Sequence, residues 1–528
     1  MVGTPSWMML LLTLVTQGNG SDLLDYVQSS AYWRIQGVTP SVATMQAELA
    51  PARSADAAGL IEDLTGDDDA KRTAAKIRIR VLGDRAMPLL EKAAKAAHGN
   101  PDKAVVVQDL IGEVLKKPAT GAARRLMAIR TLGEFKKTEA LPTLQGLLTS
   151  KALFEADYAR AAIAAIEGKP YTRPAPSAKT RAKDPLMLPA DCGIVGQMTV
   201  PQGGNFDFDA AMKTMATMGG GQDPNQMLEM GTRTLLEAVE RLGNVRVHSA
   251  TLGIAHTIGS QEGFVVVLAR GVYDTKAVAR LIADKGRGET QTIDGVKVYW
   301  PGDEAALILP SNDTLVFVAG PGPRRHSSSR DEGDDPAKPE RPIAAAVQAM
   351  AKAVKTGAGS LDADGDLGKL IKSIDTAAPF WAVAKVSDAY RKGGPIIQPF
   401  ETASLVGKPA KDGNAVELTL TAEGTDIVAI TTAAQEFLKG LEEAKRELGQ
   451  QAERVPALNP MADFLGSIQV KLTGEKVTVT GRLQNSSTMM MIPMMFLGVR
   501  AGAASAPQGV APQQVERTQS KVSSGVNH

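Results

Sequence analysis

One phrase of this chain occurs twice, fifty positions apart. Ile79-Arg80-Val81-Leu82-Gly83-Asp84 returns as Ile129-Arg130-Thr131-Leu132-Gly133-Glu134. Each copy runs on into Ala-apolar-Pro-x-Leu, first Ala86-Met87-Pro88-Leu89-Leu90 and then Ala140-Leu141-Pro142-Thr143-Leu144. Such recurrence constrains the fold strongly, because a unit of this length buries its apolar face only by stacking on a neighbour. Ala74, Ile77, Val81 and Leu82 recur at helical spacing, as do Leu126, Ile129 and Leu132 in the second copy. Asp67-Asp68-Asp69 supplies an N-cap and first-turn acids, Gly83 and Gly133 are expected to end their helices, and the prolines fit the first turns that follow. A third helix is expected over Ala159–Ile166, stopping at Gly168.

The helical pattern extends from Ala57 to Gly168. With its I-R-x-L-G-[DE] helix ends and A-L-P-x-L continuations, this region resembles the HEAT-repeat family, of the short bacterial kind. The fifty-residue spacing exceeds the ~40–47 usual for that family. The surplus falls between Gly99 and Thr120, where Asn100-Pro101 and Lys117-Pro118 bracket an extra helix, Val105–Leu115. The resemblance implies an α-solenoid with a curved surface for a protein partner, and it carries no catalytic residue. Arg80 with Asp84 and Arg130 with Glu134 hold equal places in the two copies, four residues apart on one helix face. Each pair is either a solvated ion pair worth about 0.3 kcal/mol or part of a repeated interaction ridge.

Charge narrows the class of partner. The 528 residues carry 59 Lys+Arg against 58 Asp+Glu, a net +1, so no global field favours nucleic acid or an anionic membrane. Aromatics at 4% leave little for stacking on bases. Trp7–Val15 is a short apolar run followed by the small-x-small pattern Gly18-Asn19-Gly20, which reads as a secretory signal cleaved after Gly20. No Lys or Arg precedes that run; without a signal the protein would be cytoplasmic. No segment is long enough for a transmembrane helix. The single cysteine, Cys192, excludes an internal disulfide and reads as a buried small hydrophobe.

The expected fold is multidomain, α and α+β: an N-terminal HEAT-like α-solenoid followed by two related α+β modules with mainly antiparallel sheets. After the signal at 1–20, a helical lead-in covers 21–56 and the repeats 57–168. A basic, Pro-rich spacer at 169–187 has four prolines, Pro170, Pro174, Pro176 and Pro185, and is expected to be stiff and solvated. Module 1 spans 188–320, with strands at Gly193–Val200, Val245–Ile258 and Phe264–Ala269, helices after Asp223-Pro224 and Asp274, and a hairpin at Asp294-Gly295. A charged, flexible segment at 321–342 separates it from module 2 at 343–484. There Phe380–Val386 echoes Gly193–Val200, Thr402–Leu405 echoes Ser249–Leu252, and Gly424 answers Gly271, the last two at an offset of 153. Residues 485–528 hold a Met-rich run, Met489–Leu497, read as core packing or a partner-binding patch, and then a polar tail. The remainder beyond the repeats is similar to large exported bacterial proteins of uncharacterised function.

No nucleophile elbow, phosphate loop, dinucleotide fingerprint or H-E-x-x-H occurs. His248 and His256 are expected on one strand face, but eight residues of strand separate them by ~26 Å, too far for one metal. Asp362-Ala363-Asp364-Gly365-Asp366 begins like a calcium loop, yet Leu367 and Ser373 stand where the loop needs Gly and Glu, so a solvated turn is expected. The expectation is therefore a non-catalytic interaction or scaffolding protein of the cell envelope, with no cofactor and an unidentified protein partner. The alternative is an enzyme or ligand-binding protein whose site lies between the two modules.

Overall fold

The computed structural model describes residues 22–49, 54–82, 86–116, 120–174, 178–199, 236, 237, 239, 241–256, 263–283, 289–320, 343–391, 394–411, 415–454 and 458–484. The apolar N-terminal run, residue Asp84, the charged segment 321–342, Met489–Leu497 and the tail lie outside them, as do the side chains of Arg80, His98 and His256.

The N-terminal part is helical. After a single 3-10 turn at Leu23–Tyr26 come α1 (Ser29–Ile35), α2 (Val42–Leu49), α3 (Ser54–Thr65), α4 (Asp69–Leu82), α5 (Met87–Ala96), α6 (Pro101–Lys116), α7 (Thr120–Phe135), α8 (Leu141–Gly146) and α9 (Glu155–Glu167). Helices α3 to α6 share one core built on Leu60, Leu64, Ile79, Leu90, Val107 and Leu110. A second core centres on α7, where Leu126, Met127, Ile129 and Leu132 are buried with Trp33 and Met45 of the lead-in. The lead-in is thus structural: Trp33 Nε1 donates to Thr131 Oγ1 at 2.9 Å, and Arg124 holds Glu48 at 2.6 Å. Gly133 does not end its helix. It lies inside α7 because α9 crosses there, and a Cβ would stand 2.8 Å from Cα of Ala162. The helix stops instead beyond Phe135, at Lys136, whose φ is 52°.

The expected spacer is also part of the body. Tyr171 bonds Asp157, Arg173 bonds Asp25, and after α10 (Ala178–Lys183) the residues Asp184, Pro185 and Met187 are buried. Arg173 looks solvated in sequence because its carboxylate partners, Asp22 and Asp25, lie far away along the chain.

The C-terminal part is built on one sheet, with twelve strands among the described residues. In chain order these are β1 (Ile194–Thr199), β2 (Arg246–His256), β3 (Gly263–Val272), β4 (Glu289–Ile293), β5 (Val296–Gly302), β6 (Ala305–Ser311), β7 (Thr314–Ala319), β8 (Phe380–Lys385), β9 (Phe400–Pro409), β10 (Ala415–Gly424), β11 (Gln469–Thr473) and β12 (Lys476–Gln484). The spatial order is β11-β12-β10-β9-β8-β1-β2-β3-β7-β6-β5-β4, antiparallel throughout. Both expected modules therefore contribute to one continuous sheet, joined by an ordinary ladder in which Gly196 of β1 faces Ala382 of β8.

The two halves of the sheet are laid out alike about that seam. Leu252 pairs with Val267 in the β2/β3 hairpin, and Leu405 with Leu420 in β9/β10, each 153 positions after its counterpart. Both hairpins carry a bulge at the same place: His248 is skipped in one ladder and Glu401 in the other. Both bulges require glycine opposite, because a Cβ on Gly271 would strike the carbonyl oxygen of Arg246, and one on Gly424 that of Pro399. The same two glycines donate their N–H to Asp313 and Glu475, at 3.0 and 3.2 Å. Each then leads into an Asp-capped helix: Asp274 caps α11 (Thr275–Ala283) and Asp426 caps α14 (Ile427–Arg454).

Covering elements differ between the halves. On one face, Val247, Leu315 and Phe317 join the core of α7 and α9, while in the other half Phe400, Val477 and Val479 pack with Ile430 of α14. On the opposite face, Val266, Leu268, Val316 and Val318 lie beneath α12 (Ala344–Thr356) and α13 (Asp366–Ser373). That face in the second half of the sheet holds the trough described below.

Two stability measurements check these assignments. Leu132→Ala should cost ~2–5 kcal/mol in urea unfolding of the full chain, as a fully buried truncation; a loss below ~0.5 kcal/mol would contradict the core around α7. Gly424→Ala should cost about 3 kcal/mol by overpacking against Pro399, whereas Gly440→Ala, with open space around it in α14, should be neutral or stabilising.

Candidate functional site

Of the residues singled out as a repeated ridge, Arg130 and Glu134 are placed by the structure. Arg130 Nε donates to Glu134 Oε1 at 2.9 Å. The same guanidinium also donates to the carbonyls of Leu24 and Val27, each at 3.0 Å, and Ser29 Oγ bonds Glu134 at 2.9 Å. This pair therefore fastens the N-terminal turn to α7. Arg80 lies in α4, and its side chain and Asp84 fall outside the described residues.

A denser cluster sits where the helical part meets the sheet. Asp22 is 0% exposed, and its carboxylate accepts from Arg246 Nε at 2.5 Å, Arg246 Nη2 at 3.0 Å and Asn244 Nδ2 at 2.9 Å. Arg246 also reaches Asp157, and Arg173 reaches both Asp22 and Asp25. Burial works against the charge on each arginine. Asp22, with Asp25 beside Arg173 and Asp157 beside Arg246, more than offsets it and raises both pKa values. Burial, with Asp22 and Asp25 adding to it, pushes the Tyr158 hydroxyl well above its ordinary value, so it stays protonated. His248, at the bulge, is held down to about 4 by burial and by the neighbouring Arg246, and is neutral at physiological pH. The extra residue at the bulge breaks the strand alternation between Val247 and Ser249, and the side chain of His256 lies outside the described residues.

A concavity lies elsewhere, on the second half of the sheet. It is a trough of about 1030 Å³ between α13 and strands β8, β9 and β10. Its floor is the row Thr402, Ser404 and Val406 of β9 beside Thr419, Thr421 and Glu423 of β10; Leu370 and Ile374 form an apolar wall. Strand alternation places these side chains on one face. Three ion pairs stand on the rim: Lys385 holds Asp366 at 2.7 Å, Lys408 holds Asp375 at 2.8 Å, and Lys476 holds Glu423 at 2.7 Å; Lys369, Arg391 and Glu417 also line it. The hydrogen bonds from Lys385 and Lys408 hold the carboxyls of Asp366 and Asp375 below the usual carboxylate range. Among the described residues no histidine or cysteine lines the trough.

Elsewhere, Cys192 is buried and its thiol is pushed up to about 12 by burial and by Asp191, so it is an unreactive packing residue. Asp364 pairs with Lys372 at 2.7 Å in the turn before α13. Among the described residues no three His, Cys, Asp or Glu side chains are grouped to hold a metal ion, and no helix is long and apolar enough to cross a membrane.

No family model and no curated protein matches the chain. Among solved structures, crystal form III of TP0453 is similar at 9% identity and a TM-score of 0.30, covering 59% of this chain and 98% of that one. Crystal form I of TP0453 gives 10% identity and a TM-score of 0.29, covering 59% and 97%. Likeness at this level carries no argument about function.

Sequence reasoning missed both the cluster and the trough. Asp22 and Arg246 look ordinary one at a time, since 224 positions separate them. The trough did leave a signal: Thr419-Leu420-Thr421 and Thr478-Val479-Thr480 alternate hydroxyl and apolar, as a strand with one open face does.

The buried imidazole has a consequence for pH. In the unfolded chain His248 takes up a proton near its ordinary value, whereas the folded protein resists protonation down to about 4. Stability is therefore lost as pH falls through that window, by about 3 kcal/mol between pH 7 and 4. In His248→Gln this part of the slope should vanish in urea titrations at each pH; an unchanged slope would mean that the imidazole is not held neutral.

Proposed function

We propose that the protein is a non-catalytic binding and scaffolding protein, exported to the cell envelope after loss of residues 1–20. Its helical part, read as a HEAT-like solenoid, offers a surface for a protein partner. Its two sheet halves are read as copies of one duplicated α+β module, with the shared bulge and the 153-residue offset as support.

The observation that carries this reading is the state of the titratable groups. His248 is buried and neutral, the Cys192 thiol is raised to about 12, and the trough's carboxylates Asp366 and Asp375 are fixed in ion pairs below their usual range. A general acid or base works best when its pKa lies near the working pH, and none of these groups is tuned that way. The seam between the modules is a regular ladder from Ile194↔Ala384 to Met198↔Phe380, which speaks against the alternative of a catalytic site between them.

Cross-linking in the cells that make the protein, followed by identification of what is captured, tests the reading. We expect one recurrent protein partner, captured within a few-fold of wild type when His98, His248, His256 and His326 are all changed to Gln. Loss of biological function in that variant, with its fold and partner capture intact, would instead establish an enzyme.

A further inference from the structure

The two halves of the sheet share a backbone layout but differ in chemistry at four positions of one face. In the first half Val266 faces Val318 and Leu268 faces Val316, all four buried beneath α12. At the equivalent places in the second half Thr419 faces Thr480 and Thr421 faces Thr478. Each of these four apolar residues is thus replaced by threonine, Thr419 and Thr421 lining the trough and Thr478 and Thr480 beside them on β12. Ser404 beside Thr421 and Thr402 beside Glu423 continue the array onto β9. The result is a grid of hydroxyls spaced ~4.8 Å across strands and ~6.7 Å along them.

We propose that this threonine-floored trough is a binding site for a neutral oligosaccharide. Each hydroxyl can both donate and accept, so the grid matches a ligand whose own groups are hydroxyls. At Lys385, Lys408 and Lys476 an ionic ligand would have to break existing pairs with Asp366, Asp375 and Glu423; Lys369 and Arg391 also line the trough, and the poly-glutamate arm of the test below reads an anion bound there. A protein partner would want aromatic or large apolar anchors at the centre of its footprint. Here the floor offers only Val406, and the apolar wall of Leu370 and Ile374 suits the C–H face of a sugar ring. A trough of about 1030 Å³ accommodates a short oligosaccharide, and its open face admits a longer chain. This inference does not depend on the scaffold reading.

The test is calorimetric titration of the full-length protein with maltohexaose, cellohexaose and chitohexaose. At least one should bind with one-to-one stoichiometry and with little dependence on salt. Changing Thr419, Thr421, Thr478 and Thr480 together to Val, which reproduces the aliphatic floor of the other half, should weaken that binding by about 30-fold or more. The four Thr→Ser changes keep the hydroxyls and should retain binding within a few-fold, which separates loss of chemistry from loss of fold. Failure of all three sugars to bind, equal binding by the Val and Ser variants, or tighter binding of poly-glutamate or poly-lysine than of any sugar would overturn the proposal.

Discussion

The buried ion pair between Asp22 and Arg246 is the contact on which the arrangement of the molecule rests. Taking two charges out of water is expensive, and close geometry with further hydrogen bonds is needed to offset it. Both conditions are met here: Asn244 and Asp157 complete the shells of the pair, and Arg173 adds a second cation beside Asp22. Four separate stretches of chain converge at this point: the N-terminal turn, α9, the residues that follow it, and the start of β2. A charge left unpaired there would be intolerable, so the pairing dictates how the helical part sits on the sheet. The apolar core follows from that placement, running without a break from Trp33 and Leu132 to Val247 and Phe317.

The sheet repeats one backbone scheme and then uses it differently. The bulge that buries His248 against Arg246 in the first half leaves Glu401 half-exposed in the second, where it accepts from Thr425 at 3.2 Å. Gly271 and Gly424 serve the backbone, because the bulge brings a carbonyl to where a Cβ would stand. The side chains at the skipped positions are free of that duty. Divergence of chemistry on a fixed frame is what a fold tolerates most readily.

What could be read from sequence followed local physics. The glycine-to-glycine offset, the Asp294-Gly295 hairpin with both residues at positive φ, and the presence of strands at β2 and β3 were legible from the chain itself. What could not be read depended on distant partners. Arg173 and Tyr171 sit in a Pro-rich, basic stretch that resembles a solvated spacer until Asp25 and Asp157 are brought alongside. Gly133 reads as a helix stop because glycine so commonly is one. Only the approach of Ala162 shows that its missing side chain serves packing. The trough was half legible, since alternation marked the open face but could not show which helices leave it uncovered.

That open face also explains why threonine stands where valine and leucine stand in the other half. A sheet surface without a covering helix must be hydrated, and a bare Val/Leu floor there would be an exposed apolar patch prone to association. Most polar residues would solvate it at a cost to the strand, because their side chains favour other backbone conformations. Threonine keeps the branched Cβ that suits a pleated strand and adds one hydroxyl for water or ligand. The second half thus retains its strand pairing from Thr421↔Thr478 to Thr419↔Thr480 while its surface changes from core to site. Covering one half with α12 and leaving the other open lets one backbone layout serve as a support on one side and, on the reading proposed above, as a recognition surface on the other.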